Sequence, residues 1–136
     1  MDPSSNGRVH REGLVDYSMG VHCLQLGGEG NSVEAKKGLD WLFENLPTSW
    51  GNIDFYGIRH AGRACVGTMY ILNESKYWER FREKIPEILI ENQKPEGFWS
   101  HAAHFHGDSE LLRTILGIEI LSTFSTREIN RYQKVR

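Results

Sequence analysis

Apolar residues recur at helical spacing along most of this chain, and that pattern predicts a succession of helices. The first is expected from Gly13 to Leu26, with Leu14, Tyr17, Val21 and Leu24 on one face and Gly27-Gly28 ending it. Residues 1–12 read as a polar leader. Ser32 is a good N-cap for a second helix, Glu34 suits its first turn, and Pro47 stops it. Its apolar stripe is Ala35, Leu39, Leu42, Phe43 and Leu46. A third helix, Phe55 to Leu72, is rich in small residues: Gly57, Ala61, Gly62, Ala64 and Gly67. Each glycine there costs about 1 kcal/mol of helix propensity relative to alanine, so close packing by neighbouring helices must hold this one.

The fourth apolar face, Tyr77, Trp78, Phe81, Ile85, Ile88 and Leu89, contains Pro86, so a helix is expected to start or bend near Lys84–Pro86. Pro95 and Gly97 then turn the chain. A loop from Ser100 to Gly107 leads to a fifth helix, capped by Asp108 or Ser109 and carrying Leu111, Leu112, Ile115, Ile118 and Leu121. A short sixth is expected from Ser125 or Thr126 to Tyr132. No strand-like alternation competes, so the class is all-α, with residues 13–136 forming one domain.

The pattern also repeats. Trp41-Leu42-Phe43-Glu44-Asn45-Leu46 overlies Ile88-Leu89-Ile90-Glu91-Asn92-Gln93 at an offset of 47 residues, Trp41 to Ile88. The same offset places Tyr17-Ser18-Met19-Gly20 over Ala64-Cys65-Val66-Gly67. A two-helix unit of this length is a helical-hairpin repeat, in which neighbours bury each other's apolar faces. HEAT-like solenoids share the period and are the alternative fold.

Within this frame, Gln93-x-x-x-Gly97-x-Trp99 after an aliphatic helix end resembles the QW repeat of squalene cyclases and prenyltransferase-like proteins. The earlier Lys37-Gly38-x-x-Trp41-Leu42-Phe43 is similar to the upstream half of that repeat, with Leu46 in place of the glutamine. The likeness spans roughly Gly13 to Tyr132. It implies an α-α toroid, here partial, with about three hairpins where the family's full ring has six. It also implies an inter-repeat structural role for Gln93, Gly97 and Trp99. Inner helices of such a ring face the central cavity, so Tyr56, His60 and Arg63, with Arg59, become candidate cavity-lining residues. Arg59 and Arg63 forming a solvated face is the plainer alternative.

The family's catalytic signatures are missing from the sequence. There is no D-x-D-D acid motif, no D-x-C zinc motif and no G-C-G-E-Q thioester. The resemblance therefore implies a repeat domain that binds a ligand, with an apolar small molecule the candidate, or associates with protein. The alternative is the C-terminal half of a terpene cyclase- or prenyltransferase-like enzyme whose catalytic residues lie in an N-terminal part outside this sequence. No catalytic residue is assigned and no cofactor is expected. A half ring leaves open ends, so self-association, or pairing with the rest of a toroid, is expected through Leu14, Tyr17, Val21 and Leu24 and through Leu111, Ile115 and Ile118.

Other chemistry adds little. His101, His104, His106 and Asp108 are the densest cluster of metal-ligating types, but their spacing fits no metal motif and Asp108 can cap a helix. No metal site is favoured there. Cys23 and Cys65 both lie in apolar patterns and are expected to be buried free thiols. A His60–Cys65 nucleophile pair is disfavoured, because five residues along a helix point the side chains apart. Trp41, Trp50, Trp78 and Trp99 read as packing residues. With 39% hydrophobic and 25% charged residues and a net charge of −2, the composition is globular and gives no electrostatic case for nucleic acid. No apolar run reaches membrane-spanning length, and residues 1–12 lack a signal peptide's apolar core, so a cytoplasmic location is the expectation.

Overall fold

The computed structural model describes residues 3–100 and 109–124, with residues 3–12 and 52 described by backbone alone. Among these, five α-helices and one 3-10 turn account for the regular structure, and no strand occurs. The helices are α1 (Pro3–Leu26), α2 (Val33–Asn45), α3 (Phe55–Ile71), α4 (Lys76–Asn92) and α5 (Glu110–Ser122); the 3-10 turn is Trp50–Asn52. No helix among the described residues is long and apolar enough to cross a membrane. The expected sixth helix and the His101–Asp108 loop lie outside the described residues.

Local chemistry explains the helix starts. The Ser32 hydroxyl accepts from the Ala35 N–H at 3.2 Å, the Asp54 carboxylate accepts from Tyr56 and Gly57, and Ser109 accepts from Leu112. Each side chain satisfies an amide that the first helical turn leaves unpaired. Of the two expected caps for α5, Ser109 is the one used.

Two boundaries differ from expectation. Helix α1 begins at Pro3 rather than Gly13. Helix α4 begins at Lys76 and continues through Pro86, so the proline neither starts nor ends it. An interior proline costs about 3 kcal/mol. Burial of Tyr77, Trp78, Phe81, Ile85, Ile88 and Leu89 along one face of the same helix offsets that cost.

The helices pack as two alternating rows. α1 lies against α3 and α3 against α5, while α2 lies against α4. Hairpin partners α1 and α2, and α3 and α4, join the rows. Helix α3 sits centrally, and its small residues admit its neighbours. A methyl group at Gly62 would come within 2.9 Å of the Phe81 ring on α4, and one at Gly67 within 2.5 Å of the Gln25 side chain on α1.

The rotation of α1 differs from the expected stripe. Leu14 and Val21 are buried by α2 and α3, whereas Tyr17 is 43% exposed and stacks on Trp41 at 4.4 Å between centroids. Two residues of the stripe expected at an open end, Leu14 and Val21, are therefore turned inward instead. On α5, Leu111, Ile115 and Ile118 are 72, 46 and 59% exposed, while Leu116, Gly117 and Ile120 face the core. Arg113 is buried on that inner face. The cysteines also split. Cys65 is a buried free thiol as expected, but Cys23 is exposed, because α1 turns it away from α3.

Candidate functional site

Between α1, α3, α4 and α5 lies a half-open cavity of about 910 Å3. That volume falls in the roughly 300–1,000 Å3 range of small-molecule sites. Its apolar lining includes Leu26 on α1, Ile58, Val66, Met69 and Ile71 on α3, Trp78 and Phe81 on α4, and Ile120 on α5. The floor exists because Gly62, also a lining residue, lets α3 approach Phe81 closely and adds no side chain of its own. The polar lining includes His22 and Gln25 from α1, Arg59 and Arg63 from α3, and Glu119 from α5.

Most of these polar groups already have partners. Gln25 donates to the Ala64 carbonyl at 2.9 Å and to the Thr68 hydroxyl at 3.1 Å, fixing α1 against α3. Arg59 pairs with Glu119, joining α3 to α5. Arg63 is exposed and has no ion-pair partner among the described residues. The lining thus carries two guanidiniums and one carboxylate, leaving one positive charge.

His22 and His60 meet across the α1–α3 contact, Nδ1 to Nδ1 at 3.2 Å. The His60 ring also lies edge-on to Tyr56, 4.8 Å between centroids, and its Nε2 is buried with no hydrogen-bond partner. Burial lowers the His60 pKa from 6.5 to about 4, helped by the nearby His22, Arg59 and Arg63 and opposed by Glu119. Burial lowers His22 as well, aided by Arg63 and Arg59. Both imidazoles are therefore neutral at pH 7, and one must donate to the other. If His60 received that proton, its Nε2–H would be a buried donor without an acceptor, which is the rarer and costlier arrangement. The favoured tautomer has His60 donating from Nδ1, leaving His22 protonated on Nε2.

The expected cavity residues are partly assembled. Arg63 lines the cavity. His60 stands behind His22 and is outside the lining, and Tyr56 is exposed, touching His60 but not the cavity. His22, Gln25 and Glu119 belong to the site but were not singled out from sequence. The histidine on an otherwise apolar face of the first helix was the available signal for His22. Groups of three or more metal-ligating side chains do not occur among the described residues. Burial pushes the Cys65 thiol up to about 12, so it stays protonated and offers no thiolate to His60.

The Gln93–Trp99 turn forms a second, structural constellation. Gly97 has φ +94°, a left-handed conformation that glycine adopts without strain. The Gln93 side-chain amide donates to the Gly97 carbonyl at 2.9 Å, closing its own loop. Trp99 is fully buried, and its Nε1–H donates to the Leu89 carbonyl at 2.8 Å, satisfying a last-turn acceptor of α4. Arg113 of α5 in turn donates from Nε to the Trp99 carbonyl at 3.3 Å. The indole also meets Phe55 of α3 edge-on and lies so close to Gly117 of α5 that a methyl group there would be 2.6 Å from the ring.

No family model, curated protein or solved structure matches the chain.

Proposed function

We propose that the chain is a squalene cyclase/prenyltransferase-like repeat domain without a recognisable catalytic motif, and that it binds an apolar small molecule. Support for the kinship comes from the Gln93-x-x-x-Gly97-x-Trp99 turn, the alternating helix rows and the link that Trp99 makes from α4 to α5. Kinship of fold supplies no ligand. The observation that carries the binding reading is the cavity, whose volume and apolar floor suit a small hydrophobic molecule. Glu119 is the one carboxylate among its lining residues and is paired with Arg59, a poor arrangement for an acid that protonates a substrate. Binding is therefore favoured over cyclase-type catalysis by this chain's own residues.

Phenylnaphthylamine, a neutral dye that brightens in apolar surroundings, tests the reading. It should bind saturably at one site and quench tryptophan emission, since Trp78 lines the cavity. Val66→Trp should fill the space and abolish saturable binding while keeping a cooperative melt. A signal that never saturates, or one unchanged in the Val66→Trp variant, overturns the proposal.

A second reading, self-association, is favoured by one observation. α5 ends its row among the described residues, and Leu111, Ile115 and Ile118 on its outer face remain 72, 46 and 59% exposed. The occupant proposed is a second copy of the chain, related by a two-fold axis so that the same face serves both partners.

A further inference from the structure

We infer that the molecule bound in the cavity is a long-chain carboxylate, its single negative charge held by Arg63 and by the Nε2–H of His22, its tail lying over Val66, Met69, Trp78 and Phe81. This rests on the cavity reading above and adds the chemistry of the head group. Three observations carry it.

The cavity is amphipathic. Its apolar lining comes from all four helices, Leu26 of α1 among them, while its polar groups are His22 and Gln25 of α1, Arg59 and Arg63 of α3, and Glu119 and Ser122 of α5. A ligand that fits must have an apolar body and a polar end.

The charge at the polar end is positive by one unit. Glu119 neutralises Arg59, and Arg63 has no counter-ion among the described residues. One uncompensated guanidinium beside an apolar surface suits a monoanion. It suits a phosphate monoester less well, since that carries about 1.5 to 2 negative charges at neutral pH. The guanidinium fork also matches a carboxylate's two oxygens. The same positive field is felt by both histidines, each of which Arg59 and Arg63 push toward the neutral form.

The second donor is oriented in advance. His60 is half-buried behind His22, and in the favoured tautomer, set by its buried and unpartnered Nε2, it donates to the His22 Nδ1 and leaves the His22 proton on Nε2, the nitrogen not engaged with His60. A neutral imidazole held in this tautomer offers one N–H to an anion without the cost of a second buried cation.

Decanoate, decanol and decyl phosphate share a tail and differ at the head. Each is titrated by displacement of phenylnaphthylamine from the full chain near pH 8, well above the carboxylate range of about 4. Decanoate should displace the dye at about tenfold lower concentration than decanol, as a charge-assisted hydrogen bond implies. Arg63→Gln, at an exposed position, should remove that advantage, so that decanoate and decanol displace the dye at similar concentrations in the variant. Equal displacement by decanoate and decanol, or an advantage that survives Arg63→Gln, overturns the head-group inference and leaves the cavity reading standing. Decyl phosphate binding about tenfold more tightly than decanoate overturns the single-charge assignment. Failure of the dye itself to bind saturably removes the cavity reading and this inference together.

Discussion

His60 illustrates how one side chain couples the site to the stability of the whole. Its pKa is about 4 in the folded chain and about 6.5 when exposed to water, because burial and the neighbouring His22, Arg59 and Arg63 outweigh the opposing Glu119. Above pH 6.5 both states hold a neutral ring and the pair costs nothing. As pH falls from 6.5 toward 4, the unfolded chain takes up a proton that the folded chain refuses, so stability declines. Below about 4 both states are protonated and this contribution levels off. His22 is shifted in the same direction and adds to the slope. The melting temperature should therefore fall between pH 7 and pH 5, above most carboxylate titration, and His60→Gln should flatten that decline. A melting temperature that is level over this interval in the parent chain contradicts the buried neutral pair.

At the scale of elements, Trp99 joins three helices at once. It caps the end of α4 through Leu89, receives Arg113 from α5 through its carbonyl, and fills the space that Gly117 leaves open beside Phe55. Gln93, by contrast, closes only its own turn. The two residues of the QW-like signature thus do different work: the glutamine shapes the loop and the tryptophan holds the helices. Trp99→Ala should destabilise the chain by about 3–5 kcal/mol in denaturant unfolding, as truncation of a fully buried large aromatic does. Gln93→Ala should cost far less, since that side chain is exposed and its single bond is local. Equal and small losses for both variants would falsify the inter-helix role of Trp99.

For the whole molecule, the two outermost helices of the longer row, among the described residues, differ in where their apolar side chains point. At α1, Leu14 and Val21 are enclosed by α2 and α3; at α5, Leu111, Ile115 and Ile118 stand exposed in a row along the helix. A single open face pairs with itself in a closed two-fold dimer, whereas two open faces would permit chains of copies. We expect freshly purified protein to scatter light as a dimer at micromolar concentration. Ile115→Glu/Ile118→Glu should return it to monomer with little loss of helix, because both positions are on the outer face. A parent chain that is monomeric and soluble under these conditions rules out this pairing.

Much of the fold was legible in the chain itself. Helical spacing gave the all-α class, and the caps at Ser32 and Ser109 marked two helix starts because capping is a contact between near neighbours. Trp99 was recognisable as a packing residue from the turn it belongs to. Of the start or bend expected at Pro86, the start does not occur, since a proline rule is local and the buried aromatic face that carries α4 through that position is not. The site was legible only in part: Arg63 and His60 were singled out, while His22, Gln25 and Glu119 were not. His22 offered only its place on an otherwise apolar face, and nothing local distinguishes Gln25 and Glu119 from other polar residues. Their meaning comes from which residue of another helix they meet, His60, Ala64 and Arg59 respectively. Periodicity along one helix fixes which residues share a face, but not how far that face is rotated toward its neighbour. That rotation buried Leu14 and left Tyr17 and Cys23 outside, turned Arg113 to the inner face of α5, and opened the cavity between α1, α3, α4 and α5. It is set by the packing of several helices around the small residues of α3, a balance of contacts between segments distant in sequence, and so only the tertiary structure decided it.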